Sequence, residues 1–135
     1  MKMDSIRKAA WNIITVLAGM VLISMVASKA MTGWSSVFSY RVFYIMSESM
    51  EPVIAENQLV IGKLLPADEV LQVGGIYAYR KEGAFGTEII IHRLIEITDD
   101  EKYRFQGDNN ALPDEELVER GDVGYTILGA NEKLL

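Results

Sequence analysis

The sequence has no cysteine, one histidine and only three prolines in 135 residues. Without cysteine there is no disulfide framework, no thiolate metal site and no thiol nucleophile. A single histidine, His92, excludes a histidine-rich metal centre, and the scattered carboxylates follow no metal-loop pattern. Basic charge is scarce beyond the first thirty residues. Residues 1–30 hold four Lys/Arg against one Asp, net +3, while residues 31–135 hold nine against eighteen Asp/Glu, net −9. A body this acidic lacks the basic footprint that nucleic acid requires. No internal repeat or low-complexity tract is present, and no cofactor or metal is expected.

What the sequence does have is a long apolar run. After a short basic stretch, residues 1–8, the chain from Ala9 to Ala30 is interrupted only by Asn12, Thr15, Ser24, Ser28 and Lys29. About 20 apolar residues in a helix cross the hydrocarbon core of a bilayer. Lys2, Arg7 and Lys8 place the N-terminus on the cytoplasmic side and the rest of the chain outside it. The run is longer than the roughly 7–15 residues of a cleavable signal peptide, although Ser28-Lys29-Ala30 has the small residues of a cleavage site. A buried core helix would show a polar face, and this segment shows none. The sequence thus divides into a cytoplasmic tail (1–8), a transmembrane signal anchor (9–30) and an extracytoplasmic domain (31–135).

Beyond a linker at 32–36, short segments rich in β-branched and aromatic residues predict strands at 40–46, 58–64, 76–80, 88–98, 103–106 and 123–129. Residues 66–70 read as a turn, 81–87 as a hairpin loop and 107–116 as a loop rich in Asp and Asn. The expected fold is mostly β, a small folded sheet or barrel behind one helix.

Few side chains can carry chemistry. Ser47 and Ser49 flank Glu48 just before Met50-Glu51-Pro52, where Pro52 disfavours helix in the residue before it. That is ordinary turn chemistry and equally a place to present a hydroxyl. Histidine is the side chain that titrates nearest neutrality, and His92 lies mid-strand. It reads alike as a general base and as a core histidine satisfied by a neighbour. Asp108 and Asp114 are turn formers by type. A carboxylate reaching the histidine would orient its ring, as in a Ser-His-Asp arrangement.

Taken together, Ser-Glu-Ser-Met-Glu-Pro at 47–52, His92-Arg93 after an isoleucine run, and Gly107-Asp108-Asn109-Asn110 with Asp114 follow in fixed order behind an anchor. This resembles type I signal peptidases, in particular the Ser-His branch of the endoplasmic reticulum, archaea and sporulating bacteria. The likeness covers roughly residues 1–124. It implies Ser49 as nucleophile and His92 as base, where the bacterial housekeeping branch carries lysine. It implies Asp114 or Asp108 as the ring-orienting carboxylate and Ser47 as a helper at the oxyanion. The substrate would be the signal peptide of a secreted preprotein, bound as an extended strand along 40–46. The enzyme would be a single-pass protein of the cell membrane, or of the endoplasmic reticulum membrane in a eukaryote. The bilayer and secretion-complex subunits are the expected partners, with no nucleic acid. The family's Arg-Gly-Asp-like turn is replaced by Ala55-Glu56-Asn57-Gln58, and many relatives continue into a second membrane helix, so a truncated or a naturally short form are both open. Three other readings are a membrane-anchored, non-catalytic β domain, as an inactive homologue or adaptor, a periplasmic or extracellular binding module with a cleaved N-terminus, and a self-cleaving repressor-type protease. The last would use a lysine base and carry a DNA-binding head.

Overall fold

The computed structural model describes residues 2–129. Met1 and residues 130–135, the outer ends of the expected tail and peptidase domain, lie outside them. The chain forms two units, one up to Ser39 and one from Tyr40 onward.

The first unit is built on α1 (Lys2–Thr32), a 31-residue helix. At 1.5 Å per residue it is about 46 Å long. It begins earlier than the apolar run because nothing in residues 2–8 opposes helix, and Asp4 complements the unpaired amides of the first turn. The basic tail is therefore the opening of the helix. Met3–Thr32 is long and apolar enough to cross a membrane, with a mean hydropathy of 2.0 over a window that nothing in the structure covers. The Thr15 hydroxyl donates to the Trp11 carbonyl at 2.9 Å, so it is satisfied within the helix itself.

The expected linker is ordered by the helix it leaves. Gly33, at φ +74, ends α1 in the left-handed conformation that glycine tolerates, and its N–H reaches the Lys29 carbonyl at 2.9 Å. The chain then returns along a stripe of hydroxyls spaced four residues apart. The amides of Trp34, Ser36 and Phe38 donate to Thr32 Oγ1, Ser28 Oγ and Ser24 Oγ at 3.2, 2.9 and 2.8 Å. The polar exceptions near the end of the apolar run are thus the acceptors for an extended segment's alternating amides.

The second unit is one antiparallel sheet of six strands: β1 (Tyr40–Tyr44), β2 (Leu59–Leu64), β3 (Ile76–Gly83), β4 (Gly86–Ile97), β5 (Tyr103–Gln106) and β6 (Val123–Ile127). Their order is β1-β2-β6-β3-β4-β5. The last strand inserts between β2 and β3 and so joins the β1–β2 pair to the β3–β4–β5 run. The loop expected at 81–87 is instead ladder. Lys81 pairs with Glu88 and Glu82 with Thr87, and only Ala84-Phe85 turn. Two glycines in a polar stretch read as a loop, but the charged residues form an exposed hairpin, held in part by a 2.9 Å bond from Thr87 to Glu82.

The register decides which face carries chemistry. On β4 the isoleucines at 89, 91 and 95 are only half-buried, while His92 and Leu94 point inward. His92 stands opposite Tyr77, and Tyr79 opposite Ile90, on the same core face. Tyr77, Tyr79, Leu94, Tyr103, Phe105 and Val118 belong to the core cluster beside it. Register shifts at Ala78/Tyr79 and at Leu94/Glu96 add local bend on both sides of the histidine.

Candidate active site

The nucleophile candidate lies between buried side chains, Ile45 before it and Met50 and Ile54 after it. Met50 and Ile54 are 2% and 1% exposed, and the Ile54 amide donates to the Met50 carbonyl at 2.9 Å. With those two apolar anchors fixed, residues 47–49 are lifted to the surface, and Ser49 is half-buried beside β4. The following turn closes at Asn57, which takes φ +62, a conformation asparagine tolerates better than most residues. Ala55-Glu56-Asn57-Gln58 thus serves as a tight turn without the usual glycine. Asn57 and Gln58 bond to either side of Ile45 at 2.8 and 2.9 Å.

His92 Nε2 lies 3.1 Å from Ser49 Oγ. On the other side of the ring, Nδ1 lies 2.7 Å from Asp114 Oδ2 and 3.0 Å from Oδ1. An ionised carboxylate only accepts hydrogen bonds, so Nδ1 carries the proton and Nε2 is left to accept from the Ser49 hydroxyl. Ser47 Oγ, 3.1 Å from Ser49 Oγ, then donates to it. Hydroxyl, imidazole and carboxylate stand in the order that proton transfer requires.

Asp114 is held on three counts. Its amide donates to the Phe105 carbonyl at 2.8 Å, and its Oδ2 accepts from both His92 and the Tyr79 hydroxyl, the latter at 2.5 Å. Burial pushes its carboxyl up, but the hydrogen bonds from His92 and Tyr79 outweigh that and hold it below the ordinary carboxylate value. The Tyr79 phenol moves far upward, through burial first and then its hydrogen bond to Asp114, and so stays a donor.

Asp108 does not reach His92. It forms a two-point pair with Arg93, Nε to Oδ1 and Nη2 to Oδ2, both at 2.7 Å. Of the two aspartates left open by the sequence, the structure brings only Asp114 to the ring. The Asp108 loop also makes contact with the Ser49 turn. The Asn109 amide donates to the Ser49 carbonyl at 2.8 Å, and its side-chain Nδ2 to the Glu48 carbonyl at 3.0 Å. Gly107 is pressed against the same carbonyl: a Cβ there would lie 2.6 Å from Ser49 O.

Beside Ser49 and His92 runs a groove of about 170 Å³ lined by Tyr44–Ser47, Ser49, Met50 and Ile89–His92. Its two apolar walls are the end of β1 and the half-buried isoleucines of β4. A larger cavity of about 410 Å³, lined by Tyr79, Lys81, Asp114 and Glu116 among others, does not include Ser49 in its lining. Among the described residues, no group of three or more His, Asp and Glu side chains could hold a metal ion.

Sequence reasoning named Ser47, Ser49, His92, Asp108 and Asp114, but missed Tyr79 and the grip of Asn109. A signal for Tyr79 was present. On a strand whose alternate residues 77 and 79 face inward, a buried phenol needs a polar partner. Nothing of that kind marks Asn109, whose neighbours are all turn formers.

The chain matches the Peptidase S24-like family over residues 24–130. It is 26% identical over 130 residues to Signal peptidase I W of Bacillus subtilis (strain 168), a match that covers 94% of this chain and 67% of that protein. With the family match extending over most of the sequence, the chain belongs to the Peptidase S24-like family, as a type I signal-peptidase-like protein.

Proposed function

We propose that this protein is a membrane-anchored serine endopeptidase that removes signal peptides from secreted preproteins. The observation that carries the reading is the relay itself, with Ser49 Oγ, the two nitrogens of His92 and the Asp114 carboxylate joined at 3.1 and 2.7 Å beside an apolar groove. In this mechanism His92 takes the Ser49 proton as Oγ attacks the scissile carbonyl, then returns it to the leaving amine. Water, deprotonated by the same ring, hydrolyses the acyl-enzyme. Asp114 keeps the Nδ1–H tautomer and stabilises the imidazolium. The Ser49 backbone N–H and the Ser47 hydroxyl stabilise the oxyanion. Having an imidazole as the base supports the Ser-His branch over a repressor-type enzyme with a lysine base.

The substrate lies extended in the groove, pairing with the outer edge of β1, which ends the sheet. Main-chain bonds supply affinity and the narrow groove selects small side chains. The apolar α1 anchors the enzyme, and the basic residues at its start keep that end in the cytoplasm, leaving the peptidase unit on the opposite side. A non-catalytic domain would have no use for a hydroxyl aligned on an imidazole and a carboxylate.

The test is cleavage of one preprotein by the full chain in detergent, comparing wild type with Ser49→Ala and His92→Ala. Both variants abolish turnover, and Ser49→Ala also abolishes fluorophosphonate labelling. Preprotein cleavage by Ser49→Ala overturns the assignment. Resistance of the wild type to carbonate extraction from membranes tests the anchor; a mature N-terminus at Met31 counts against it.

A further inference from the structure

The relay has a fourth member. Tyr79 is 2% exposed, lies on β3 rather than on any segment carrying the other three groups, and donates to Asp114 Oδ2 at 2.5 Å. The same oxygen accepts from His92 Nδ1 at 2.7 Å. Tyr79 and His92 are diagonal neighbours on one face of the β3–β4 pair, and each reaches the carboxylate from its own strand. The ring of Tyr79 stacks on Phe105, with centroids 4.5 Å apart and planes 23° from parallel. Phe105 in turn holds the Asp114 amide through its carbonyl at 2.8 Å. Backbone and side chain of Asp114 are thus fixed by a closed set of contacts.

Resting on the catalytic reading above, we infer that Tyr79 is a positioning residue that acts through Asp114: its hydroxyl fixes the carboxylate's rotation and keeps it an ionised acceptor for His92. With one donor on each side of Oδ2, the carboxylate has a single orientation in which it meets the imidazole. Without the phenol, the carboxylate keeps its bond to His92 but loses the donor that fixes its plane, and it rocks about that bond beside the cavity that both Tyr79 and Asp114 line. Burial opposes the charge of Asp114 and the phenol's hydrogen bond favours it, a second support for the same role. Tyr79 does not line the groove beside Ser49, so its effect should fall on turnover and not on substrate binding.

The test uses the full chain in detergent and one preprotein. In Tyr79→Phe the ring stacking survives and only the hydroxyl is lost. The expected result is a fall in kcat of about tenfold, the scale of one lost hydrogen bond to a charged group, with KM unchanged. A carboxylate with one donor fewer attracts the imidazolium more strongly, so the acid limb of kcat/KM moves to higher pH. His92 is the only histidine, so its ring-proton NMR resonance is free of overlap from others and should shift in the same variant. In an Asp114→Asn background, Tyr79→Phe should add little further loss. Wild-type kcat, pH profile and resonance in Tyr79→Phe would overturn the inference, as would a full additional loss in the Asp114→Asn background. If Tyr79→Phe lowers the melting temperature so far that turnover cannot be compared, Tyr79→3-fluorotyrosine decides. As a stronger donor of the same shape, it should move the acid limb to lower pH, and an unmoved limb overturns the inference. Activity of Ser49→Ala would instead defeat the catalytic reading, independently of Tyr79.

Discussion

Asp108 turns its carboxylate onto Arg93, not His92, closing two bonds of 2.7 Å while the third corner of the guanidinium reaches the Gly74 carbonyl at 2.6 Å. That pairing ties the 107–110 loop to β4 and, through β4, to the turn before β3. The two aspartates are six positions apart and do different work.

Substituting them should separate those kinds of work. Asp114→Asn should lower kcat by roughly 10³–10⁴, the scale seen when a relay histidine loses its orienting carboxylate. Asp108→Asn should cost about 1–3 kcal/mol of stability, since it leaves a partly buried guanidinium with a weaker partner. Preprotein cleavage and thermal unfolding of both variants check this; an Asp108→Asn defect in kcat as deep as that of Asp114→Asn would reverse the roles.

The pH dependence of stability should bear the mark of Asp114. Its carboxyl is held below the ordinary 3.8 by His92 and Tyr79 against the opposing effect of burial. A group with a depressed folded-state value stabilises the fold at pH above its unfolded value, and loses that contribution as pH falls through the folded one. The stability gap between wild type and Asp114→Asn in urea should therefore be full at pH 7 and shrink below about pH 4. A gap of constant size down to pH 2 would contradict it.

Gly107→Ala should damage the nucleophile's turn without touching it chemically. The added Cβ would lie 2.6 Å from the Ser49 carbonyl oxygen, which is backbone and cannot swing aside. Either the loop or the turn shifts, and a displacement of about 1 Å at a reacting group costs on the order of a hundredfold. Fluorophosphonate labelling rates should fall in parallel with kcat; unchanged labelling would show that the contact yields.

Ser47→Ala should be informative and not lethal. The hydroxyl is 3.1 Å from Ser49 Oγ, close enough to serve the oxyanion that forms beside it. Loss of one such donor lowers kcat by about 10²–10³. Steady-state kinetics should show the fall in kcat with little change in KM, and a wild-type kcat would remove Ser47 from the oxyanion site.

The strands and the long apolar helix were legible because each has a local signal. A 22-residue apolar run and alternating β-branched segments carry their own explanation. The extension of α1 back to Lys2 had no such signal, since a polar stretch adjoining a helix looks the same whether coiled or helical. The hairpin loop expected at 81–87 was read too long because its glycines outweighed a cross-strand charge pairing that only register reveals. At the site, Ser49, His92 and the two aspartates were visible by residue type and order. Choosing between Asp108 and Asp114 required three dimensions, because both lie in one polar loop and differ only in which strand residue they face. Tyr79 was hidden for a related reason, sitting 35 residues before the carboxylate it touches.

The hold of Asn109 on residues 48 and 49 has a consequence for how this protein can be assayed. Both bonds join amide N–H groups to peptide carbonyls, none of which gains or loses charge at any working pH. The one charged clamp on the same loop contains Arg93, which is held even more firmly protonated than a free guanidinium, chiefly by Asp108. Acid or alkali in the neutral range therefore leaves the scaffold under the serine in place. A pH–rate curve for this protein would measure proton occupancy in the relay rather than a drifting loop.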